Sequence, residues 1–162
     1  VQKPHPPVMV GGGGKKLLKI AAEQADIVNL TAPITKGTVD FAAMLKFDQT
    51  ELKRRVGMMR DFARAAGRDP GSIEISGFVT AMPAADQGQS DAIAQGTATS
   101  MGFADAQSVR KSPMFLIGTP DELKREIRSR VENLGMTYFI LIFMADEARE
   151  QFAKQVMPEF TR

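Results

Sequence analysis

The chain has 162 residues, 43% hydrophobic and 25% charged, with a net charge of +2 and no cysteine. That length fits a single domain over residues 1–162, and the missing cysteines exclude disulfides, thiolate metal sites and a Cys nucleophile. Interspersed charge signs, one Tyr and no Trp speak against nucleic-acid binding, and no apolar run approaches a membrane span. A cysteine-free chain without a recognisable signal sequence fits a reducing cytoplasm. Val1 opens the chain within a Pro-rich approach, which reads as part of a longer protein.

In chain order, Val8–Val10 is an apolar strand between Pro6-Pro7 and a run of glycines. Lys15–Ala25 is a helix with Leu17, Leu18, Ala21, Ala22 and Ala25 on one stripe, and Ile27–Leu30 is a second strand. Residues 31–47, which include Pro33 and Gly37, have no clear period and read as a loop with at most a short turn. Asp48 is placed to cap the next helix, with Glu51 as its capping-box partner and Leu52, Val56, Met59, Ala63 and Ala66 facing inward.

Ser72–Met82 reads as a strand, and Ala84–Gly102 as weakly helical. Thr119, Pro120 and Glu122 mark another helix start, with Leu123, Ile127, Val131 and Leu134 on its inner face. Thr137–Phe143 is an almost continuously apolar strand, the pattern of a strand covered on both faces. A last helix spans about Asp146–Met157. Strands and helices thus alternate in four β/α units, which predicts an α/β fold with parallel strands. Periodicity alone leaves open a doubly wound sheet or half of an eight-stranded barrel.

Gly11–Gly14 follow the first strand and lead into Lys15 and Lys16. A Walker A loop needs Ser or Thr after Gly-Lys, and here Lys16 occupies that place; the dinucleotide fingerprint needs a sixth-place glycine, which is again Lys16. The physics of an anion site survives both failures. Glycines let backbone N–H groups approach an anion, and a helix N-terminus adds unpaired donors and a positive dipole end. The competing reading is a Gly-rich turn with solvated lysines.

Other candidates have ordinary explanations. His5 is the only histidine and sits among prolines, so neither a Ser-His-Asp set nor a histidine metal cluster is available. Asp40, Asp48 and Lys36 border or lie in the long loop, where capping and solvation suffice. Ser76 and Thr80 fit an interior-facing strand side or ordinary packing. Met44, Met58 and Met59 fit an apolar pocket or core filling. No residue stands out as a general acid or base.

The segment "QKPHPPVMVGGGGKKLLKIAAEQADIVNL" resembles the luciferase-like monooxygenase superfamily, especially its flavin- and deazaflavin (coenzyme F420)-dependent oxidoreductases. "FARAAGRDPGSIEIS", "SPMFLIGTPDELKREI", "LGMTYFILIF" and "FAKQVMPEF" are similar to later steps of that family, in the same order. The resemblance implies strands five to eight, the C-terminal half, of a (β/α)8 TIM barrel. It also implies that Gly11, Gly12, Gly13, Gly14 and Lys15 lie against the phosphate of FMN or F420, between which it does not choose. Asn29 and Thr31, at the C-terminal end of a strand, become substrate-pocket candidates. No metal site is implied, and the hard chemistry, hydride transfer or oxygen activation, belongs to the cofactor.

As half a barrel, the chain would expose strand edges at Val8–Val10 and Thr137–Phe143. A homodimer or higher oligomer, or a separate N-terminal half, is the expected partner, beside a small-molecule substrate. The competing function is a non-catalytic half-barrel scaffold. A nucleotide-binding module of another family is the third reading, separable by strand order.

Overall fold

A computed structural model describes residues 3, 5–32, 34–35 and 38–161. Strand β1 (Met9–Gly11) leads into helix α1 (Lys15–Gln24) and strand β2 (Ile27–Asn29). The predicted loop is largely structured: β3 (Ile34–Thr35) and β4 (Thr38–Val39) pair antiparallel, and a short α2 (Phe41–Leu45) follows, capped by Asp40. Helix α3 (Gln49–Ala65) precedes the long β5 (Glu74–Pro83); α4 (Gln87–Met101) and α5 (Ala106–Lys111) come next. Strand β6 (Phe115–Gly118), α6 (Pro120–Leu134), β7 (Met136–Ile142) and α7 (Asp146–Gln155) complete the order.

The fold is α/β with a five-stranded parallel sheet, as in a TIM-barrel-like architecture. Strands β1, β2, β5 and β7 lie side by side in chain order. Ile75 of β5 pairs with Val28 on one side and Met136 on the other, and Thr80 pairs with Phe115 and Ile142. Strand β6 therefore continues the flank that β2 starts. Along β1, β2, β5 and β7 the order runs one way, as in a barrel and not in a doubly wound sheet; β6 alone steps back, to the flank of β2. Four strands were predicted for this sheet; β6 is the fifth, a four-residue apolar run placed before α6.

The helices cover one face of the sheet. Leu18, Ala22, Val56 and Met59 pack with Val28 and Ile75, and Leu123, Ile127 and Phe152 pack with Val79 and Ala81. The other face is only partly covered: Ser76 is buried, but Phe78, Tyr138 and Ile142 are exposed, against the expectation that β7 is covered on both sides. Among the described residues, β1 pairs only with β2 and β7 only with β5, so each presents one open edge.

Local predictions fail in three instructive places. Asp48 accepts the Glu51 N–H at 2.8 Å, but the Glu51 carboxylate turns to Arg54 and Arg55, so only half of that capping box forms. Ala66 caps α3 from an exposed position instead of facing inward. In α6 the buried residue is Arg130, while the predicted Val131 is exposed. The segment read as weakly helical does form a helix, α4, capped by Asp86 and packed through Ser90, Ala94 and Ala98.

Candidate functional site

At the end of β1, Gly11 pairs with Asn29, and the Gly12 N–H donates to the Asn29 carbonyl at 2.8 Å. Gly12 has φ +143°, a conformation L side chains rarely adopt, and a Cβ there would collide with Leu17. A Cβ at Gly13 would lie 2.7 Å from Cζ of Arg55, so the glycine is what lets the guanidinium come this close. Gly14 is the N-cap of α1 and offers no side-chain cap, and no acidic residue occupies the first turn. The opening N–H groups of α1 therefore have no side-chain acceptor, and the positive end of its dipole is uncompensated. Gly11–Gly14, Leu17, Thr31 and Arg55 line a cavity of about 350 Å³.

Arg55 is the residue that sequence reading missed. It is 6% exposed, donates from Nε to Glu51 Oε1 at 2.8 Å and from Nη1 to the Thr31 carbonyl at 2.9 Å. Its Cζ lies 4.7 Å from the centre of the Phe47 ring. No hydrogen bond from Nη2 is present among the described residues. Hydrogen bonding from Arg54, aided by Arg55, lowers the Glu51 pKa to about 2, so the carboxylate stays ionised across the ordinary pH range. The cavity thus carries a fixed cation opposite a run of backbone donors, an arrangement suited to an anion. A signal for Arg55 was available: Leu52, Arg55 and Met59 are spaced three and four apart, which puts the arginine on the buried stripe.

The other predicted site residues divide. Lys15 starts α1 with an exposed side chain and does not line the cavity. Asn29 is buried next to Gly11 and donates from Nδ2 to Ser76 Oγ at 2.9 Å, while its Oδ1 is buried without a partner. Thr31 lines the cavity, and its Oγ1 is likewise buried and unpaired. His5 is exposed, with Nδ1 2.8 Å from the Pro6 carbonyl. Met59 is core, Met58 packs at its margin, and Lys36 lies outside the described residues.

A second cavity of about 270 Å³ adjoins the first, and Thr31 and Ile34 line both. Its floor includes Leu30, Met44, Phe47, Phe115 and Met136, and Thr80 also contributes. Among the described residues no titratable side chain lines it. The Arg55–Phe47 pair stands between the two spaces, with the arginine in one and the ring in the other. Among the described residues no group of three or more His, Asp or Glu side chains could hold a metal ion, and no helix is long and apolar enough to cross a membrane.

No family model and no curated protein matches the chain by sequence. Solved structures match by fold. The coenzyme F420-dependent tetrahydromethanopterin reductase from Methanopyrus kandleri superposes with a TM-score of 0.69 at 17% identity, over 96% of this chain and 51% of that one. A long-chain alkane monooxygenase gives 0.66 at 16% identity, over 95% and 40%. The EDTA monooxygenase from Chelativorans sp. BNC1 gives 0.65 at 14% identity, over 95% and 44%. At these identities the likeness establishes the fold. The chain spans about half the length of the structures it matches, or less.

Proposed function

We propose that this chain supplies the phosphate-binding, C-terminal half-barrel of a flavin- or F420-dependent oxidoreductase of the luciferase-like type, with β1, β2, β5 and β7 as barrel strands five to eight. The sequence resemblance, the sequential parallel strands and the reductase and monooxygenase neighbours support this reading. The observation that carries it is the cavity at Gly11–Gly14, where Arg55 fills the space a side chain at Gly13 would take.

The residues present fit a phosphate. Gly13, Gly14 and the first turn of α1 would donate backbone N–H groups, and Arg55 would add the charge, with Lys15 at the rim. FMN or F420, when bound, supplies hydride transfer or oxygen activation. The chain's own part is to hold the anionic end. Glu51, Phe47 and the Thr31 carbonyl orient Arg55 before any ligand arrives, so little ordering is left for binding.

Titration with FMN and riboflavin, which differ by the phosphate, tests the reading. FMN should bind more tightly, and Arg55→Met or Gly13→Ala should weaken FMN by about tenfold while leaving riboflavin unchanged. Lys15→Met should change FMN affinity by less than about threefold, as expected of an exposed, screened charge. Equal affinity for FMN and riboflavin, or wild-type FMN affinity in Arg55→Met, overturns the assignment.

A second reading, a scaffold that associates without chemistry, is favoured by the partly covered apolar sheet face and the two open edges. It predicts dimers or larger species by light scattering at micromolar concentration, with no turnover of any reduced flavin. A clean monomer that binds no hydrophobic dye removes it.

A further inference from the structure

The second cavity has the character of a site for a different kind of molecule from the one the glycines suit. Its floor is buried and apolar: Leu30, Met44, Phe47, Phe115 and Met136 are each at most 6% exposed. Its rim is made by Ile34, Phe78 and Ile142, the last two on the partly covered face of the sheet. An ionised ligand there would lose hydration with no countercharge among the described residues of the walls. The polar side chains in the lining are Thr31 and Thr80. Thr31 stands at the junction of the two cavities, with its carbonyl occupied by Arg55 and its Oγ1 buried and unpaired. A buried hydroxyl without a partner is costly, and a ligand atom placed at the junction would satisfy it.

We infer that the cavity between Phe47, Phe115 and the Phe78–Ile142 rim binds an uncharged, largely apolar organic molecule carrying one hydrogen-bonding atom that meets Thr31 Oγ1. This molecule is the substrate of the proposed reaction, so the assignment rests on reading the glycine cavity as the cofactor end of one continuous site. Its size follows from the space. A cavity of roughly 150 Å³ accommodates benzene, so about 270 Å³ suits one to two fused or linked rings, or an aliphatic chain of equal bulk. Charged substrates are excluded by the walls rather than by a repelling group. The Arg55–Phe47 pair supports this division of labour, since one face of the phenyl ring is covered by the cation and the ring itself lines the apolar space.

The test uses fluorescence of N-phenyl-1-naphthylamine, an uncharged apolar probe, displaced by 2-naphthylmethanol or by its shape-matched anion 2-naphthoate. The alcohol should displace the probe at concentrations about tenfold lower than the carboxylate. Thr31→Val should raise the alcohol concentration needed by about fivefold and leave naphthalene unaffected. Ile142→Lys, on the exposed rim, should abolish probe binding. Phe160→Lys, in the separate apolar cavity beside Phe152 and Ile127, should not. Equal displacement by alcohol and carboxylate overturns the inference. So does probe binding that follows Phe160 instead of Ile142, or probe binding lost as protein concentration rises, which would assign the cavity to a second copy of the chain. The FMN-over-riboflavin preference, measured on the same variants, separates the two claims. If that preference persists while neutral-ligand selectivity is missing, only the cavity assignment falls; if selectivity persists while the preference is missing, only the cofactor reading falls.

Discussion

Helices α3 and α6 each bury an arginine, and the two are built alike. In both, a glutamate one turn earlier accepts from Nε at 2.8 Å: Glu51 for Arg55 and Glu126 for Arg130. What differs is where the remaining nitrogens go. Arg130 is 1% exposed and donates from Nη1 to the Pro113 carbonyl at 2.8 Å and from Nη2 to the Phe115 carbonyl at 2.6 Å. It ties α6 to the chain entering β6. Glu126 also accepts from Gln49 at 2.7 Å, which links the same cluster to α3. Arg55 reaches one carbonyl, that of Thr31, and faces a cavity with the rest of its guanidinium. A buried arginine whose three nitrogens are all engaged is a fastener. One held in place with a nitrogen left over is prepared for a ligand.

The largest effect expected from breaking this comparison is on stability, and it falls on the fastener. Arg130→Met should lose about 3 kcal/mol, because two carbonyls lose their donor and the Glu126 carboxylate loses its cation, keeping only Gln49. Arg55→Met should lose about 1 kcal/mol, since it forfeits one carbonyl bond and a pair whose other member, Glu51, is 27% exposed and keeps Arg54. Urea midpoints at unchanged slope measure both. Equal losses would make Arg55 as structural as Arg130 and take away the reason for assigning it to a ligand.

The sequence revealed the two ends of this site unequally. Gly12 and Gly13 stand out because a glycine run between an apolar strand and an amphipathic helix has a local meaning, and the anion reading followed from it before any fold was known. Arg55 has no such local sign. Within "ELKRRV" it looks like one more solvated cation, yet Leu52, Arg55 and Met59 share a stripe, as Ile127, Arg130 and Leu134 do on α6. Periodicity placed both arginines inward, and residue type argued them outward; in α6 the result was to choose Val131 over Arg130. Hydropathy was silent on α4 for a related reason, since Ser90, Ala94 and Ala98 repeat at helical spacing but contribute little apolar signal. The second cavity is assembled from the segment after β2 and from β3, α2, β5, α4, β6 and β7, and only tertiary structure brings those segments together.

The smallest effect is also the most selective. The Glu51 carboxyl has its pKa drawn down from 4.5 to about 2, first by the hydrogen bond from Arg54 and then by Arg55, against the opposing effect of burial. A carboxyl with a folded pKa below its unfolded value stabilises the fold in full where it is ionised in both states, and in part between the two pKa values. The contribution is therefore complete above about pH 4.5 and disappears as the pH falls through about 2. Glu51→Gln should be less stable than the parent at neutral pH, and the gap between them should close across that acid window. Arg55→Met should narrow the gap without abolishing it, because the Arg54 bond, the larger cause, is retained. A gap that stays constant from neutral pH to pH 2 would mean that Glu51 acts through packing alone, and the electrostatic orientation of Arg55 would lose its basis.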